Sequence, residues 1–419
     1  MAILRTARVL LQSKDSVKWR PRDETGSERN LGAVEVFHLA NGSHNVRQGR
    51  RRLDITVTVK LRRHPALASI VPDSKRVHQK LGTDQINAWL DRTFVTIAGE
   101  SEVTAELLDS LPAAETASMY FLQEANVLAL RTPHHLMDTL GAAMVLNDFL
   151  EELSEMLMGK SSTDDSLCTE RLDELACSLK EAASLPSASV SQLARHQADQ
   201  QTPRSAVASW RDLEYSPILA RELVTTAGRP KTTVAHVVHA AVAFAAKKYG
   251  PFTLTRNYNT VIVLDMRRPR DGSSSKNAIS PQHAIWPVSI PVTTFWQTAE
   301  LFKQAYSQAE SDPDLPACAP IVNSFGKIDD YLGSSYGGFT VEEFSLSAEC
   351  SGDEVVVAVW PYQGKLRIRV MFNEGYHSVK SIERYVYWWR SHSKTESGSG
   401  EVGTFNNLTA IRVATQRVG

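Results

Sequence analysis

The sequence predicts a mixed chain of the α/β (α+β) class, folded as two lobes of about equal length. Runs with the alternating apolar and polar pattern of strands are interspersed with runs of helical period from one end to the other. A polar, weakly periodic stretch at 159–210 interrupts them. It reads as a crossover linker between an N-terminal lobe at 1–158 and a C-terminal lobe at 211–419. With 419 residues and 42% hydrophobic composition, the chain can bury a large core in two lobes.

The elements follow in chain order. In "LDITVTVKLR", Leu53, Ile55, Val57, Val59 and Leu61 share one face at period two, the mark of a half-buried strand. The preceding "NGSHNVRQGRRR" is a turn-rich basic connection. Its Arg47, Arg50, Arg51 and Arg52 could attract a phosphate-bearing donor, although a charged hairpin tip is more often simply solvated. "HPALASIVP" reads as a turn, "TDQINAWLDRTFVTI" as an amphipathic helix, and "SMYFLQEANVLALRTPHH" as one or two strands. Met137, Leu140, Met144, Val145, Phe149 and Leu153 then recur at steps that put them on one face of a helix, which ends at the polar "GKSSTDDS".

The second half resumes with the apolar helix "TTVAHVVHAAVAFAAKKYG", closed by two lysines and a glycine. "NTVIVLDMRRPR" is a strand running into a basic turn, and "TTFWQTAELFKQAYSQAES" a helix. "VVVAVWPYQGKLRIRVMFN" gives two strands, and "HSVKSIERYVYWWRSHS" a helix near the end. No internal repeat of solenoid length is present.

Composition narrows the partner. Forty-six Lys and Arg against 47 Asp and Glu give a formal charge of −1, so no global field favours nucleic acid or an anionic membrane, and a small molecule is expected. The first residues meet Arg and Lys too early for a secretory leader, and no apolar run approaches a membrane span. A cytoplasmic chain is the expectation. Cys168, Cys177, Cys318 and Cys350 are too dispersed for a metal clamp and read as idle or buried thiols, and the sequons at Asn41 and Asn407 as accidental.

The most informative stretch is "RTPHHLMDTLGAAMVLNDF", which sets His134, His135 and Asp138 directly ahead of the helix. A histidine after a strand can act as a general base, because an ordinary pKa near 6.5 leaves it neutral at working pH. His134 and Asp138 are spaced HxxxD and would share a face if a helix began at Pro133 or just after. The pattern is short and common, and a satisfied structural pair is the bland alternative. Metal binding fits less well. Two neighbouring histidines cannot easily hold one ion, and His236 with His239 lacks a carboxylate at ligand spacing.

"HHLMDTLGAAMVLNDF" resembles the HxxxDG segment of the CoA-dependent acyltransferase superfamily, which includes chloramphenicol acetyltransferase, plant BAHD enzymes and peptide-synthetase condensation domains. "TTVAHVVHAAVAFA", "VIVLDMRRPR", "NSFGKIDDYL" and "GKLRIRVMFNEGYHSVKSIERYV" extend the likeness, in order, toward fungal O-acyltransferases of the trichothecene 15-O-acetyltransferase type. The resemblance implies a two-lobed chloramphenicol-acetyltransferase-like fold with an active-site tunnel between the lobes. The donor would be an acyl-CoA or acyl-carrier-protein thioester, a cosubstrate rather than a bound cofactor, and the acceptor a small-molecule alcohol in secondary metabolism. It further implies His134 as the base, with Asp138 turned away to pair with an arginine of the other lobe, for which Arg267 in "LDMR" is the candidate. His135, Thr139, Gly141, Asn323 and Ser324 complete the expected support set, the last two as donors to the developing oxyanion.

Two departures carry expectations. Thr139 replaces the family's glycine, which would relieve backbone crowding, so an altered loop is expected there. "NSFGKIDDYL" stands where relatives carry a DFGWG-like segment but lacks its tryptophan and first aspartate, and reads as structural.

Rival functions remain. "GSSYG" matches GxSxG, with Ser335 as nucleophile and Asp353 and His377 following in hydrolase order, but the flanking sequence reads as loop and strand. Asp329 and Asp330 read as solvated charge rather than an acid pair. A protein that keeps the fold but performs cyclisation, or only binds a ligand, is the alternative in another class.

Overall fold

The computed structural model describes residues 3–13, 64, 67, 69–70, 77–78, 83–97, 116–122, 127–157, 208–228, 231–249, 257–267, 279–308, 320–337, 339–350 and 352–392. The strand read at 53–61, the arginines at 47–52, most of the linker, the two sequons and Cys168, Cys177 and Cys318 lie outside them. Cys350 is buried and forms no disulfide. No helix among the described residues is long and apolar enough to cross a membrane.

Two six-stranded sheets organise the described residues. The first contains β1 (Ile3–Ser13), β4 (Phe94–Ile97), β5 (Ser118–Leu122), β6 (Val127–Arg131), β11 (Ser335–Tyr336) and β12 (Phe339–Glu349), in the order β11-β12-β1-β6-β5-β4. The second contains β7 (Ala208–Tyr215), β8 (Asn257–Asp265), β9 (His283–Pro291), β10 (Ile321–Ser324), β13 (Val356–Tyr362) and β14 (Lys365–Asn373), in the order β7-β14-β13-β10-β8-β9. A short pair, β2 (Ser69–Ile70) with β3 (Val77–His78), stands apart. Helices α1 (Thr83–Thr93) and α2 (Thr139–Leu157) belong to the first lobe. Helices α3 (Pro217–Gly228), α4 (Val234–Tyr249), α5 (Phe295–Gln308) and α6 (Val379–His392) belong to the second.

The sheets do not divide at the linker. β11 and β12, from the second half of the chain, enter the first sheet, where β12 pairs antiparallel with β1 from Ile3↔Glu349 to Ser13↔Phe339. β7 starts at Ala208, inside the stretch read as linker.

Strand alternation decides which side chains join the lobes. On β13 and β14, Val357, Val359, Leu366, Ile368, Val370 and Phe372 pack under the helices of the second lobe. The intervening Val356, Ala358, Trp360, Tyr362 and Met371 join the core built on α2 and β12. The arginines on that same face of β14 reach across to main-chain groups of β12. Arg367 Nη1 donates to Phe344 O at 2.8 Å, Arg369 Nη1 to Leu346 O at 2.6 Å, and Met371 Sδ accepts from Ala348 N at 3.1 Å. Partners directly opposite on β7 neutralise the cations, Glu214 for Arg367 and Asp212, in a two-pronged bond, for Arg369. Side chains of β14 thus bond the second sheet to β12 of the first.

Candidate active site

The first and second lobes meet at the loop between β6 and α2. Leu136 N donates to Pro133 O at 3.0 Å, so 133–136 is a turn, and the helix starts only at Thr139. A helix from Pro133 is therefore corrected. His134 and Asp138 are brought together by a turn and a cap rather than by one helical face. Within the turn His135 is exposed, His134 half-buried, and Leu136 and Met137 buried.

Asp138 caps α2. Its main-chain O accepts the first intrahelical bond, from Ala142 N at 2.9 Å, and its Oδ1 accepts from Gly141 N at 2.9 Å, a donor that the first helical turn leaves open. The same Oδ1 accepts from Arg267 Nη2 at 2.6 Å, and Oδ2 from Gln282 N at 3.1 Å. His283 Nδ1 lies 3.7 Å from Oδ2. Burial raises the carboxyl's pKa, but His283 and Arg267 outweigh it and hold Asp138 at about 2, fully ionised.

Arg267 follows the end of β8 and is only 1% exposed. Its Nη2 also donates to Ser280 O at 3.0 Å, and its Nη1 to Asp265 Oδ1 at 3.2 Å. With carboxylates on two sides, and despite desolvation, its affinity for its proton rises. Asp265 stands opposite His283 in the β8–β9 pair, and Met266 N donates to Gln282 O at 2.8 Å. One hairpin of the second lobe thus presents Asp265, Arg267, Gln282 and His283 to the cap of a first-lobe helix.

His134 lies against that hairpin, its ring centroid 5.2 Å from that of His283 with planes 33° apart. Burial pushes its pKa below the ordinary 6.5, and His283 adds in the same direction. Main-chain groups of His134 and Met137, and the Asp138 charge, oppose this. The net result favours a neutral ring. A ring nitrogen that donates to a main-chain carbonyl leaves the other free as an acceptor, the form a base requires.

The two glycine positions separate sharply. Thr139 opens the helix with no positive φ, which among the described non-glycine residues occurs only at Lys231 and Gln363. The expected distortion at Thr139 is therefore absent from the backbone. At Gly141 a Cβ would lie 2.0 Å from Ile279 O, so this is the position where a close approach requires glycine.

Asn323 and Ser324 end β10, half-buried. β10 runs parallel to β8 with Val322 opposite Ile262, which puts them at the same end of the sheet as Asp265 and Arg267. In the rest of "NSFGKIDDYL", Ile328 and Leu332 are buried, Asp329 Oδ1 accepts from Gln363 N at 2.9 Å, and Tyr331 Oη lies 3.5 Å from Asp265 Oδ2.

The rival GxSxG elbow, already disfavoured by flanks that read as loop and strand, has no helix after the serine. Ser335 lies in the two-residue β11, which turns through Gly337 at φ 57° into strand β12, so no helix follows the serine as a nucleophile elbow requires. His377 Nε2 meets the main-chain O of Asp353 at 2.6 Å, not its carboxylate. His236 and His239 are buried along α4 against α5. Among the described residues no group of three or more His, Cys, Asp or Glu is placed to hold a metal ion.

Sequence reasoning missed Gln282 and His283. Neither sits in a motif. The only signal is the Gly/Ser-rich "DGSSS" between two strand-like runs, which marks a hairpin and so brings the start of the second run beside "LDMR".

In its fold the chain is similar to solved acetyltransferase and condensation-domain structures. No family model matches the chain. It is similar to the O-acetyltransferase pigM of Monascus ruber, 19% identical over 360 residues that cover 75% of this chain and 70% of that protein. Among solved structures it is similar to the trichothecene 15-O-acetyltransferase of Fusarium sporotrichioides, at TM-score 0.63 and 11% identity over 93% of this chain and 89% of that one. The first condensation domain of the CDA synthetase gives TM-score 0.60 and 13% identity over 99% and 94%.

Proposed function

We propose that the chain is an O-acyltransferase of secondary metabolism, moving an acyl group from a CoA or carrier-protein thioester to a hydroxyl of a fungal metabolite. The observation that carries this reading is the ionised Asp138–Arg267 pair, which pins the His134 loop of one lobe to the hairpin of the other. The fold and the acetyltransferase named among its relatives support the chemistry.

In this reading His134 accepts the acceptor's hydroxyl proton as the oxygen attacks the thioester carbonyl. The resulting oxyanion collapses with cleavage of the C–S bond, and the proton passes from His134 to the departing thiolate. Asn323 and Ser324 supply donors to the oxyanion. Asp138 and Arg267 position the loop and take no proton. Gly141 permits the lobes' close approach, and the exposed His135 plays a secondary part. Donor and acceptor enter a tunnel between the lobes. Thr139, with ordinary helical backbone, is compatible with this geometry.

Incubating the chain with a panel of acyl-CoAs and hydroxylated polyketide or terpenoid acceptors tests the proposal, with free thiol and ester followed together. Thiol released in step with an ester, and insensitive to a serine-directed phosphonate, is the expected result. Failure to bind or consume any acyl-CoA or acyl-carrier donor would instead favour a pocket turned to non-acyl chemistry.

A further inference from the structure

One titratable group at the site has no part in the chemistry above. His283 opens β9, on the hairpin that presents Arg267, and its side chain is 17% exposed. Asp138 is engaged on both oxygens, by Gly141 N and Arg267 on Oδ1 and by Gln282 N on Oδ2. The side chain lying against the His134 ring is His283, at 5.2 Å between centroids and 33° between planes.

We propose that His283 is a positioning residue for His134, an imidazole lent by the second lobe that lies against the base and fixes the plane of its ring. The proposal rests on reading His134 as the base. His283 Nδ1 lies 3.7 Å from Asp138 Oδ2, beside the same carboxylate that caps α2, so cap, ion pair and base neighbour are clustered. Two imidazoles in contact resist holding two protons, because like charges at this separation are screened little by a half-buried site. Among the described residues, the other charged or titratable groups around the pair include Asp138, Arg267 behind it, Asp265 opposite His283 and Tyr331 beside Asp265. His135 lies on the exposed side of the turn. Asp138 pulls a proton toward His134 and His283 opposes it, so His283 shifts downward the pH at which the base becomes free.

The test is the titration of the His134 ring by NMR in the unsubstituted chain, His283→Asn and His283→Phe, with His134→Ala assigning the resonance. Asn keeps a polar group near the position of Nδ1, and Phe keeps the ring, but neither can hold a proton as an imidazole can. The expected result is a His134 midpoint at higher pH in both variants, with the acid limb of kcat/KM for acyl-CoA turnover moving with it. Unchanged midpoints in both, with the rate scaled equally at every pH or unaffected, would reduce His283 to a packing contact and overturn the proposal. If the unsubstituted chain turns over no acyl donor, the transferase reading fails by itself, and the NMR midpoints still decide the role of His283.

Discussion

Asp138 serves the helix and the lobe interface with one carboxylate. It caps α2 through Gly141 N and pairs with the almost fully buried Arg267. Removing one partner of such a pair strands a buried charge, which typically costs about 3–5 kcal/mol, more than an exposed ion pair contributes. Arg267→Ala is therefore expected to destabilise strongly. Asp138→Asn keeps an acceptor for the cap and should lose less. Because both act through one contact, the double variant should be more stable than the summed losses imply, by about 1 kcal/mol or more. Denaturant unfolding of the four proteins checks this, and losses that add to within about 0.5 kcal/mol would contradict the coupling. At this scale the HxxxD spacing made His134 and Asp138 legible, and the resemblance made Arg267 so. His283 was not legible, since only the pairing of β8 with β9 brings it near.

The start of α2 shows how one residue's absent side chain sets the approach of two elements. Alanine in a helix normally gains roughly 0.5–1 kcal/mol over glycine. At Gly141 its Cβ would stand 2.0 Å from Ile279 O and within 3 Å of two more main-chain atoms of Ile279. The segment that must yield leads into Gln282 and His283. Gly141→Ala is expected to lower stability by about 1–3 kcal/mol, the range for overpacking, and to lower activity with it. Gly228→Ala, at the end of α3, meets nothing within 4 Å and should be neutral or slightly stabilising. Thermal unfolding of the two variants distinguishes them, and equal effects would contradict the close-approach argument. Periodicity and apolar runs revealed α2, α4, α5, α6, β13 and β14, with β13 an unbroken apolar run because both of its faces are buried. They missed β7 and α3, which begin at the edge of the polar stretch. They also missed β1, where Arg5 and Arg8 interrupt the apolar run.

Across the whole molecule, the second half of the chain completes the first sheet through β11 and β12, and the arginines of β14 bond to β12 in turn. No local pattern announces that crossover, because a strand's partner is not written in its own period. The buried histidines give the fold a pH dependence. Desolvation holds His236 at about 4 and His239 at about 3, below the ordinary 6.5, so the unfolded chain takes up protons that the folded chain refuses. Their stabilising neutrality is complete above 6.5 and is lost as pH falls toward 4 and then 3, at up to about 1.4 kcal/mol per pH unit for each. Asp138 acts later. Its contribution is present above 3.8 and is lost as pH falls through about 2. Unfolding midpoints should therefore decline from pH 6.5 to 4, and His239→Gln, which can still bond Tyr306, should flatten that slope. An identical slope in the variant would contradict the assignment.

The central claim, that His134 is the base of an acyl transfer, is tested most directly by comparing acyl-CoA turnover in His134→Ala and His135→Ala, with circular dichroism confirming the fold of each. His134 faces the second-lobe hairpin and His135 the exposed side of the turn, so only the first variant should lose the chemical step, by roughly a hundred- to ten-thousand-fold. Donor affinity should be nearly unchanged in both. A dead His135→Ala beside an active His134→Ala would contradict the assignment of the base, and full activity in both would contradict the histidine-base mechanism itself.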